Sequence, residues 1–367
     1  MHLIWGKSPV ILVGHGCRMA GVDMEKLCDL GVPMLFSWQA MDLLDSDHPL
    51  NFGRCGLYGQ RAANKILYNA DFVLAIGCRM SIWQCGYEPK GFAPNARVVM
   101  VDIDQTELDD KPWSGHIKMD AKAFVDAVTK PEGFPDWFMQ CAKWRQSMPW
   151  VESPTHDDKN GYIHSHRFME RLQPYLKPDQ IIVTDMGTAM IAAHQVLRLK
   201  PPQRIMTSGG LGEMGVALPA AIGASFARDK GEVLCLHCDG GMAMNSQELQ
   251  TIRHHDLPIK IIVFSNDGYG MIKATQRNAN YERTATDYKS GVSCPDYVQV
   301  AHAYGIDAFY CPDAGDYGIP YLMNAAGPIL MNVNIDPEQL MLPKMNPIRM
   351  PDGSQGSPQF DQLSPIL

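Results

Sequence analysis

Short apolar runs alternate with amphipathic stretches along most of this chain, and that alternation restricts its fold more than any other feature. The apolar runs predict buried strands at residues 9–14, 33–38, 70–77 and 97–104, and again at residues 181–185, 232–237, 259–265 and 329–335. Helices are predicted between them, at residues 24–30, 61–69, 217–228, 246–254 and 297–304. Fully apolar strands that alternate with helices indicate parallel sheets covered on both faces. We therefore predict an α/β fold with two doubly wound parallel-sheet domains.

One weakly patterned stretch separates the two halves. Between about residues 104 and 161 the alternation fades, and a predicted helix at residues 136–146 is followed by prolines and a polar run. The predicted organisation has four parts, namely a first domain at residues 1–150, a linker at 151–160, a second domain at 161–340 and a tail at 341–367. The tail is rich in proline and is predicted to lie over a surface.

Charge and composition exclude several classes of protein. The chain has 32 Lys and Arg residues against 40 Asp and Glu, a net charge of −8, and no basic cluster, so nucleic-acid binding is not expected. No apolar run reaches the roughly 18 residues of a transmembrane helix, and the first residues lack the apolar core of a secretory signal. The ten cysteines lack the spacing that is typical of a disulfide framework, which indicates reduced thiols. A cytoplasmic protein without membrane contact is predicted.

Polar residues and glycines follow two of the predicted strands. Asp239, Gly240 and Gly241 come directly after one strand, and Asn266 follows the next strand along the chain. Ligands of open α/β sheets bind at the carboxyl ends of the strands. The glycines let the backbone approach a ligand closely, and the N-terminus of the following helix favours a phosphate group. Carboxylate, amide and carbonyl oxygens together suit a Mg²⁺ ion that also binds phosphates.

These residues resemble the thiamine-diphosphate motif, and the Asn-x-Gln-Glu-Leu and Leu-Pro-Ile-Lys segments that follow resemble acetolactate synthase-like enzymes in particular. The resemblance implies that Asp239 and Asn266 bind Mg²⁺ together with a backbone oxygen of Gly268. It further implies a set of cofactor-binding residues: Gly187, Thr188, Gly212, Met214, Gly240, Gly241, Tyr269 and Met271. Two positions depart from the family pattern, because Cys238 replaces the first glycine of the motif and Ser265 its first asparagine.

A second segment resembles the loop that holds the aminopyrimidine ring in this family, and it contains Gly212 and Met214. The resemblance implies that the Gly212 carbonyl accepts a hydrogen bond from the 4′-amino group of the cofactor. It also implies that Met214 lies between the two rings and supports their bent, V-shaped arrangement. Upstream, Gly187 and Thr188 occupy the place of further diphosphate contacts.

The resemblance covers most of the chain, with a central Rossmann-like domain followed by the domain that binds the diphosphate of thiamine diphosphate. The family's remaining domain binds the aminopyrimidine and carries the glutamate that protonates N1′. It is expected on a separate chain, because this sequence begins at the central domain. We therefore predict the cofactor-binding subunit of a split carboligase or decarboxylase of 2-oxo acids, which works in a hetero-oligomer and holds no catalytic residue beyond the support from Met214. The alternatives are a simple 2-oxo acid decarboxylase and a non-catalytic cofactor-binding or assembly subunit.

Four other features have competing interpretations. Cys235 and Cys238 have the spacing of a metal or redox pair, but alternate residues of a strand face opposite ways, so we expect the two thiols to diverge. Residues 14–16 begin like a dinucleotide loop but lack its third glycine, so a strand-to-helix turn is favoured over FAD binding by the central domain. Glu213 is expected in solvent or at an interface rather than as the N1′ acid. Thr275 stands where acetolactate synthases have a tryptophan, which implies a larger or more polar acceptor substrate.

Overall fold

Two six-stranded parallel sheets organise the chain in the computed structural model, which describes residues 3–113, 115–312, 315–349, 355–356 and 358–365. Each sheet belongs to its own compact unit. The first unit comprises Met1–Trp150, Arg198–Pro201 and Leu342–Leu367, and the second comprises Val151–Leu197 and Pro202–Met341. The two doubly wound α/β units confirm the predicted fold class.

The first unit has an apolar layer on each face of its sheet. Its strands are β1 (Pro9–Val13), β2 (Met34–Phe36), β3 (Asn51–Arg54), β4 (Phe72–Ile76), β5 (Arg97–Asp102) and β6 (Gly115–Lys118), in the order β3-β2-β1-β4-β5-β6. Its helices are α1 (Gly16–Met19), α2 (Met24–Cys28), α3 (Arg61–Tyr68), α4 (Ile82–Cys85), α5 (Gln105–Asp109), α6 (Ala121–Ala127) and α7 (Pro135–Ser147), with 3₁₀ turns at Trp38–Ala40 and Pro89–Gly91. Val10 and Leu12 of β1 join one apolar cluster, whereas Ile11 and Val13 join another. Burial on both faces explains why such strands are apolar throughout.

The second unit contains a switch in the direction of winding. Its strands are β7 (Ile181–Thr184), β8 (Arg204–Thr207), β9 (Val233–Cys238), β10 (Ile259–Ser265), β11 (Asp307–Tyr310) and β12 (Ile329–Asn334), in the order β11-β12-β10-β9-β7-β8. Its helices are α8 (Ser165–Leu172), α9 (Thr188–Val196), α10 (Ala217–Phe226), α11 (Asp239–Asn245), α12 (Leu249–His255), α13 (Gly270–Asn278), α14 (Tyr297–Ala303) and α15 (Ile319–Asn324), with 3₁₀ turns at Gln173–Tyr175, Ser246–Glu248 and Tyr288–Ser290. The chain leaves β7 towards one edge of the sheet and leaves β9 towards the other. A crevice forms at such a point, beyond the carboxyl ends of the two strands.

The C-terminal tail packs into the core of the first unit, whereas the sequence predicts that it lies over a surface. Phe360 is fully buried, and its ring meets that of Phe92 edge-on with 5.2 Å between centroids. The side chain of Asn64 donates a hydrogen bond to the Phe360 carbonyl (2.9 Å). Met345 and Leu363 are buried in the same apolar cluster as Phe360, so three apolar side chains of the tail belong to one layer of the core. Two short antiparallel strands, β13 (Ile348–Arg349) and β14 (Gln355–Gly356), lie between them.

Within the residues described, no helix combines the length and the apolar character that spanning a membrane requires.

Candidate functional site

The carboxyl ends of β7, β9 and β10 bring three polar side chains of the second unit to one edge of its sheet. Asp185 follows β7, Asp239 follows β9 and Asn266 follows β10. Because β9 pairs in parallel with both neighbours, these three strands end at the same edge. Helices α9 and α11 begin directly beyond β7 and β9, so the crevice at the winding switch receives two helix N-termini and several backbone N–H groups.

The buried carboxylate of Asp239 ties the end of β9 to the loop after β10. Its Oδ2 accepts hydrogen bonds from the backbone N–H of Asn266 (2.8 Å) and of Gly268 (3.3 Å), and its Oδ1 accepts from that of Gly240 (2.8 Å). Burial raises the pKa of Asp239 to about 6, while these N–H groups act in the opposite direction. A cation at this carboxylate would favour its charged form.

Asn266 has an amide oxygen whose bonding capacity is unused. Among the residues described, Asn266 Oδ1 is buried and has no hydrogen-bond partner. A buried carbonyl left in this state costs about 1–3 kcal/mol, so the arrangement calls for a ligand at that oxygen. A cavity of about 440 Å³ is lined by both Asp239 and Asn266.

Two glycines of the site are required by backbone geometry. Gly268 has φ 147°, and a Cβ added there would lie 2.1 Å from the carbonyl oxygen of Thr286. A Cβ added at Gly241 would lie 1.7 Å from Oδ2 of Asp185. Side chains at either position would force the backbone or the buried carboxylate to move, so both positions depend on glycine.

The loop between β8 and α10 approaches the Gly240 end of the crevice. The half-buried Met214 belongs to this loop, and its terminal methyl group lies 3.1 Å from the position that a Cβ of Gly240 would occupy. The ring of Tyr269 lies 2.4 Å from that same position. Gly212, two residues before Met214, adopts φ 65°, and Met271 lies half-buried in the first turn of α13. The structure thus brings Met214, Tyr269 and Gly240 together.

The predicted diphosphate contacts lie at the start of α9. Gly187, with φ 110°, immediately precedes the helix, and Thr188 is its buried first residue. The sulfur of Cys238 accepts a hydrogen bond from the N–H of Ala189 (3.3 Å). Cys238, which replaces a glycine of the family motif, therefore satisfies one backbone donor in the first turn of α9. Burial raises the pKa of this thiol.

The surroundings of Cys235 and Glu213 bear on the two alternative roles that the sequence suggested for them, a metal or redox pair and an acid for N1′. Cys235 lies in the apolar core of the second unit, so its neighbours differ from those of Cys238. Glu213 is exposed, and the hydroxyl of Ser208 donates to its carboxylate, which lowers its pKa. Across the described ranges, no group of three or more His, Cys, Asp or Glu side chains could hold a metal ion. Any metal in this crevice would therefore need amide or backbone oxygens among its ligands.

Sequence reasoning missed two contributors to the site, Tyr297 and Asp185. The hydroxyl of Tyr297, at the start of α14, donates to the backbone carbonyl of Asp239 from 58 positions further along the chain. Tyr297 is almost fully buried, and a buried hydroxyl needs a hydrogen-bond partner. The sequence around Tyr297 carries no signal that identifies Asp239 as that partner. Asp185 contacts the Met214 loop, as described below.

Comparisons with known proteins agree with this geometry. Residues 3–128 match the family model described as the central domain of thiamine pyrophosphate enzymes, and residues 185–333 match the one described as their C-terminal TPP binding domain.

Three curated relatives are acetolactate synthase proteins. The isozyme 2 large subunit of Escherichia coli is 30% identical over 369 residues, which cover 98% of this chain and 64% of the relative. A probable large subunit of Methanocaldococcus jannaschii is 32% identical over 388 residues, which cover 98% of this chain and 64% of the relative. A probable chloroplastic acetolactate synthase 2 of Oryza sativa is 29% identical over 361 residues, which cover 92% of this chain and 54% of the relative.

The chain spans less than two thirds of the length of these relatives. The two family models, taken together, match most of its length and lie one on each parallel sheet. The chain therefore belongs to the thiamine pyrophosphate enzymes, and it is similar to the large subunits of acetolactate synthases.

Proposed function

We propose that the second unit binds thiamine diphosphate together with Mg²⁺ in the crevice beyond β7, β9 and β10. The observation that carries the proposal is the unpartnered Asn266 oxygen one strand away from the Asp239 carboxylate. Carboxylate, amide and backbone oxygens form a hard donor set that suits Mg²⁺ better than softer metals. Asp239, Asn266 and the carbonyl of Gly268 would hold the ion.

The surroundings of this donor set also suit a diphosphate group. Gly187 directly precedes helix α9, Thr188 begins it, and Gly240 and Gly241 lie in the first turn of α11. Helix N-termini favour phosphate groups, although the Gly240 N–H already donates to Asp239 and the Ala189 N–H to Cys238. Side-chain atoms of Tyr269 and Met214 occupy the Cβ position of Gly240, and Asp185 occupies that of Gly241, so neither residue could carry a side chain in this packing. Met214 and the Gly212 carbonyl would face the ring system.

The proposed activity is carboligation or decarboxylation of a 2-oxo acid, as part of an acetolactate synthase-like enzyme. Thiamine diphosphate, when bound, supplies the carbon nucleophile and the electron sink for this chemistry. This chain's residues would bind the diphosphate and orient the rings through Met214. Thr275 lies exposed on α13, where its hydroxyl donates to the Met271 carbonyl (3.0 Å). This short, polar side chain is the basis for proposing an acceptor larger or more polar than pyruvate.

We also propose that the acid facing N1′ comes from a pyrimidine-binding domain on a separate chain. The carboxylates described around the Met214 loop already have partners within this chain: three backbone N–H groups for Asp239, the Ala217 N–H for one oxygen of Asp185, and Ser208 for the exposed Glu213. Leu211 in this loop is 90% exposed, and Met244, adjacent to Gly215, is 50% exposed. Apolar side chains exposed beside a cofactor crevice are typical of a surface covered by a partner.

Calorimetric titration with thiamine diphosphate, with and without Mg²⁺, tests the cofactor assignment. Binding should require the ion, and D239N should weaken it by at least about tenfold, because a charged oxygen ligand is lost. D267N is the matched control: Asp267 is exposed, lies next to Asn266 and has φ 58°, a conformation that asparagine tolerates. Equal affinities for wild type and D239N would refute the assignment.

Proton exchange at C2 of the bound cofactor, followed by NMR, tests the need for a partner. The purified chain alone should show slow exchange, since the acid at N1′ is supplied from elsewhere. Fast exchange in the chain alone would show that it carries its own acid.

A further inference from the structure

Asp185 is a fully buried carboxylate for which neither the metal site nor the diphosphate contacts account. It follows the last residue of β7 and lies beside His237 of β9, with 3.4 Å between Oδ2 and the ring Nδ1; both side chains are 0% exposed. Burying a carboxylate is unfavourable unless hydrogen bonds compensate for the lost water. The hydrogen-bond partner of one oxygen and the surroundings of the other therefore indicate what it does.

One oxygen of Asp185 faces the end of the Met214 loop. Oδ1 accepts from the backbone N–H of Ala217, the first residue of α10, at 3.4 Å. Burial has the larger effect on the pKa of this carboxyl and raises it, whereas the backbone N–H groups of Gly215 and Val216 act to lower it. One hydrogen bond, from Ala217, thus joins Asp185 to the segment directly after Met214, and two neighbouring amides lie near the same side chain.

The other oxygen, Oδ2, has no hydrogen-bond partner among the described residues and faces Gly241 of α11. A Cβ added at Gly241 would lie 1.7 Å from Oδ2 and 3.2 Å from the backbone nitrogen of Gly215. The end of β7, the Met214 loop and the start of α11 therefore meet at this carboxylate, with no side chain between them at Gly241.

We propose that Asp185 is a positioning residue that fixes the backbone of residues 215–217, and with it Met214, relative to Gly240 and Gly241. This inference rests on the proposed function, in which Met214 faces the ring system and the two glycines face the diphosphate. One side chain then sets the spacing between the two halves of the cofactor site. Its role is that of a hydrogen-bond acceptor towards the loop amides, so an asparagine, which keeps an oxygen at Oδ1, should replace it far better than an alanine.

The first measurement needs no cofactor and compares amide hydrogen exchange in wild type, D185A and D185N. D185A should speed exchange in residues 212–217 about tenfold, as expected when a hydrogen bond to a buried carboxylate is lost, and leave β9 and β10 unchanged. D185N should exchange like wild type. S225A is the matched control, because Ser225 is equally buried and donates to the Gly231 carbonyl (2.8 Å) at the opposite end of α10; it should leave the loop unaffected.

The second measurement compares affinities for thiamine diphosphate and for inorganic diphosphate, both with Mg²⁺. D185A should weaken thiamine diphosphate about tenfold more than inorganic diphosphate, since only the former contacts the loop through its rings. D185N should restore most of that difference. If D185A does not fold, D185S replaces it under the same criteria, because serine fills more of the space beside His237 than alanine does.

Three results would overturn the role of Asp185: unchanged loop exchange in D185A, equal losses for both ligands, or equal losses in D185N and D185A. Failure of the proposed function is distinguishable from these. A wild-type chain that binds neither ligand, while D185A still loosens the loop, would refute cofactor binding and leave the anchoring by Asp185 in place.

Discussion

Gly241→Ala tests the close approach of three segments at the centre of the site. The added methyl carbon would start 1.7 Å from the Asp185 carboxylate and 3.2 Å from the Gly215 nitrogen. To restore ordinary van der Waals separation, the carboxylate must move by more than about 1 Å, but it is fully buried and accepts a hydrogen bond from the Ala217 N–H. Overpacking of this kind costs about 1–3 kcal/mol in the free energy of unfolding. Affinity for thiamine diphosphate should fall as well, because any relaxation displaces the Met214 loop.

Gly223→Ala is the matched control within the same unit. Gly223 lies exposed inside α10, has no atom within 4 Å of an added Cβ and has ordinary helical geometry. Alanine should therefore stabilise the helix by about 0.5–1 kcal/mol. Urea denaturation of both variants measures the difference in unfolding free energy, and calorimetry measures cofactor affinity. If G241A matched wild type in both measurements, the close approach at Gly241 would be wrong.

Three further predictions follow from contacts described above or from buried histidines. Y297F should lower the unfolding free energy by about 1–2 kcal/mol in urea denaturation and weaken Mg²⁺-dependent cofactor binding, because it leaves the Asp239 carbonyl without its buried donor; unchanged cofactor affinity would show that the hydroxyl does not position Asp239. Burial lowers the pKa of His164 to about 3 and that of His166 well below its ordinary value, so the unfolded state binds more protons and stability should fall as pH drops below about 6.5. H166Q, which removes one of these sites, should reduce the slope of unfolding free energy against pH between 6.5 and about 4, and an identical slope would refute the link. Phe360→Ala should cost about 3–5 kcal/mol in the unfolding free energy of the first unit, since it empties a fully buried position; a loss below about 1 kcal/mol would mean that the tail only covers a surface.

The central strands of both sheets could be predicted from the sequence, whereas the edge strands could not. The four strands without a prediction, β3, β6, β8 and β11, are the outermost strands of the two sheets. The reasons differ between these strands. β6 is partly exposed along its length, so it needs no continuous apolar run, whereas β3 is buried but contains Asn51, Gly53 and Arg54 and therefore has no such run. The periodicity that identifies a buried strand is therefore weakest where a sheet ends.

The same distinction holds within the site. Asp239 and Asn266 could be predicted because they follow buried strands, and parallel strands in one sheet bring their carboxyl ends to one edge. Their geometry is as expected, while their roles towards Mg²⁺ and the cofactor stay predictions. The contacts from Tyr297 to Asp239 and from Ala189 to Cys238 join segments 58 and 49 positions apart, and no local pattern specifies such pairs. They depend on how helices pack at the sheet edge, which a sequence pattern does not determine.

The burial of the tail has a consequence for the order in which the protein acquires its structure during synthesis. Asn64 and Phe360, which are hydrogen-bonded in the first unit, lie 296 positions apart, and the chain between them contains the whole second sheet. Domains generally form as they emerge from the ribosome, starting from the N-terminus. The first unit is translated first, but one apolar layer of its core stays incomplete until the tail has been synthesised. The second unit can therefore complete its core earlier. A nascent chain halted before residue 345 would expose the layer that Met345, Phe360 and Leu363 close, and a chaperone that binds apolar surface would find its target there.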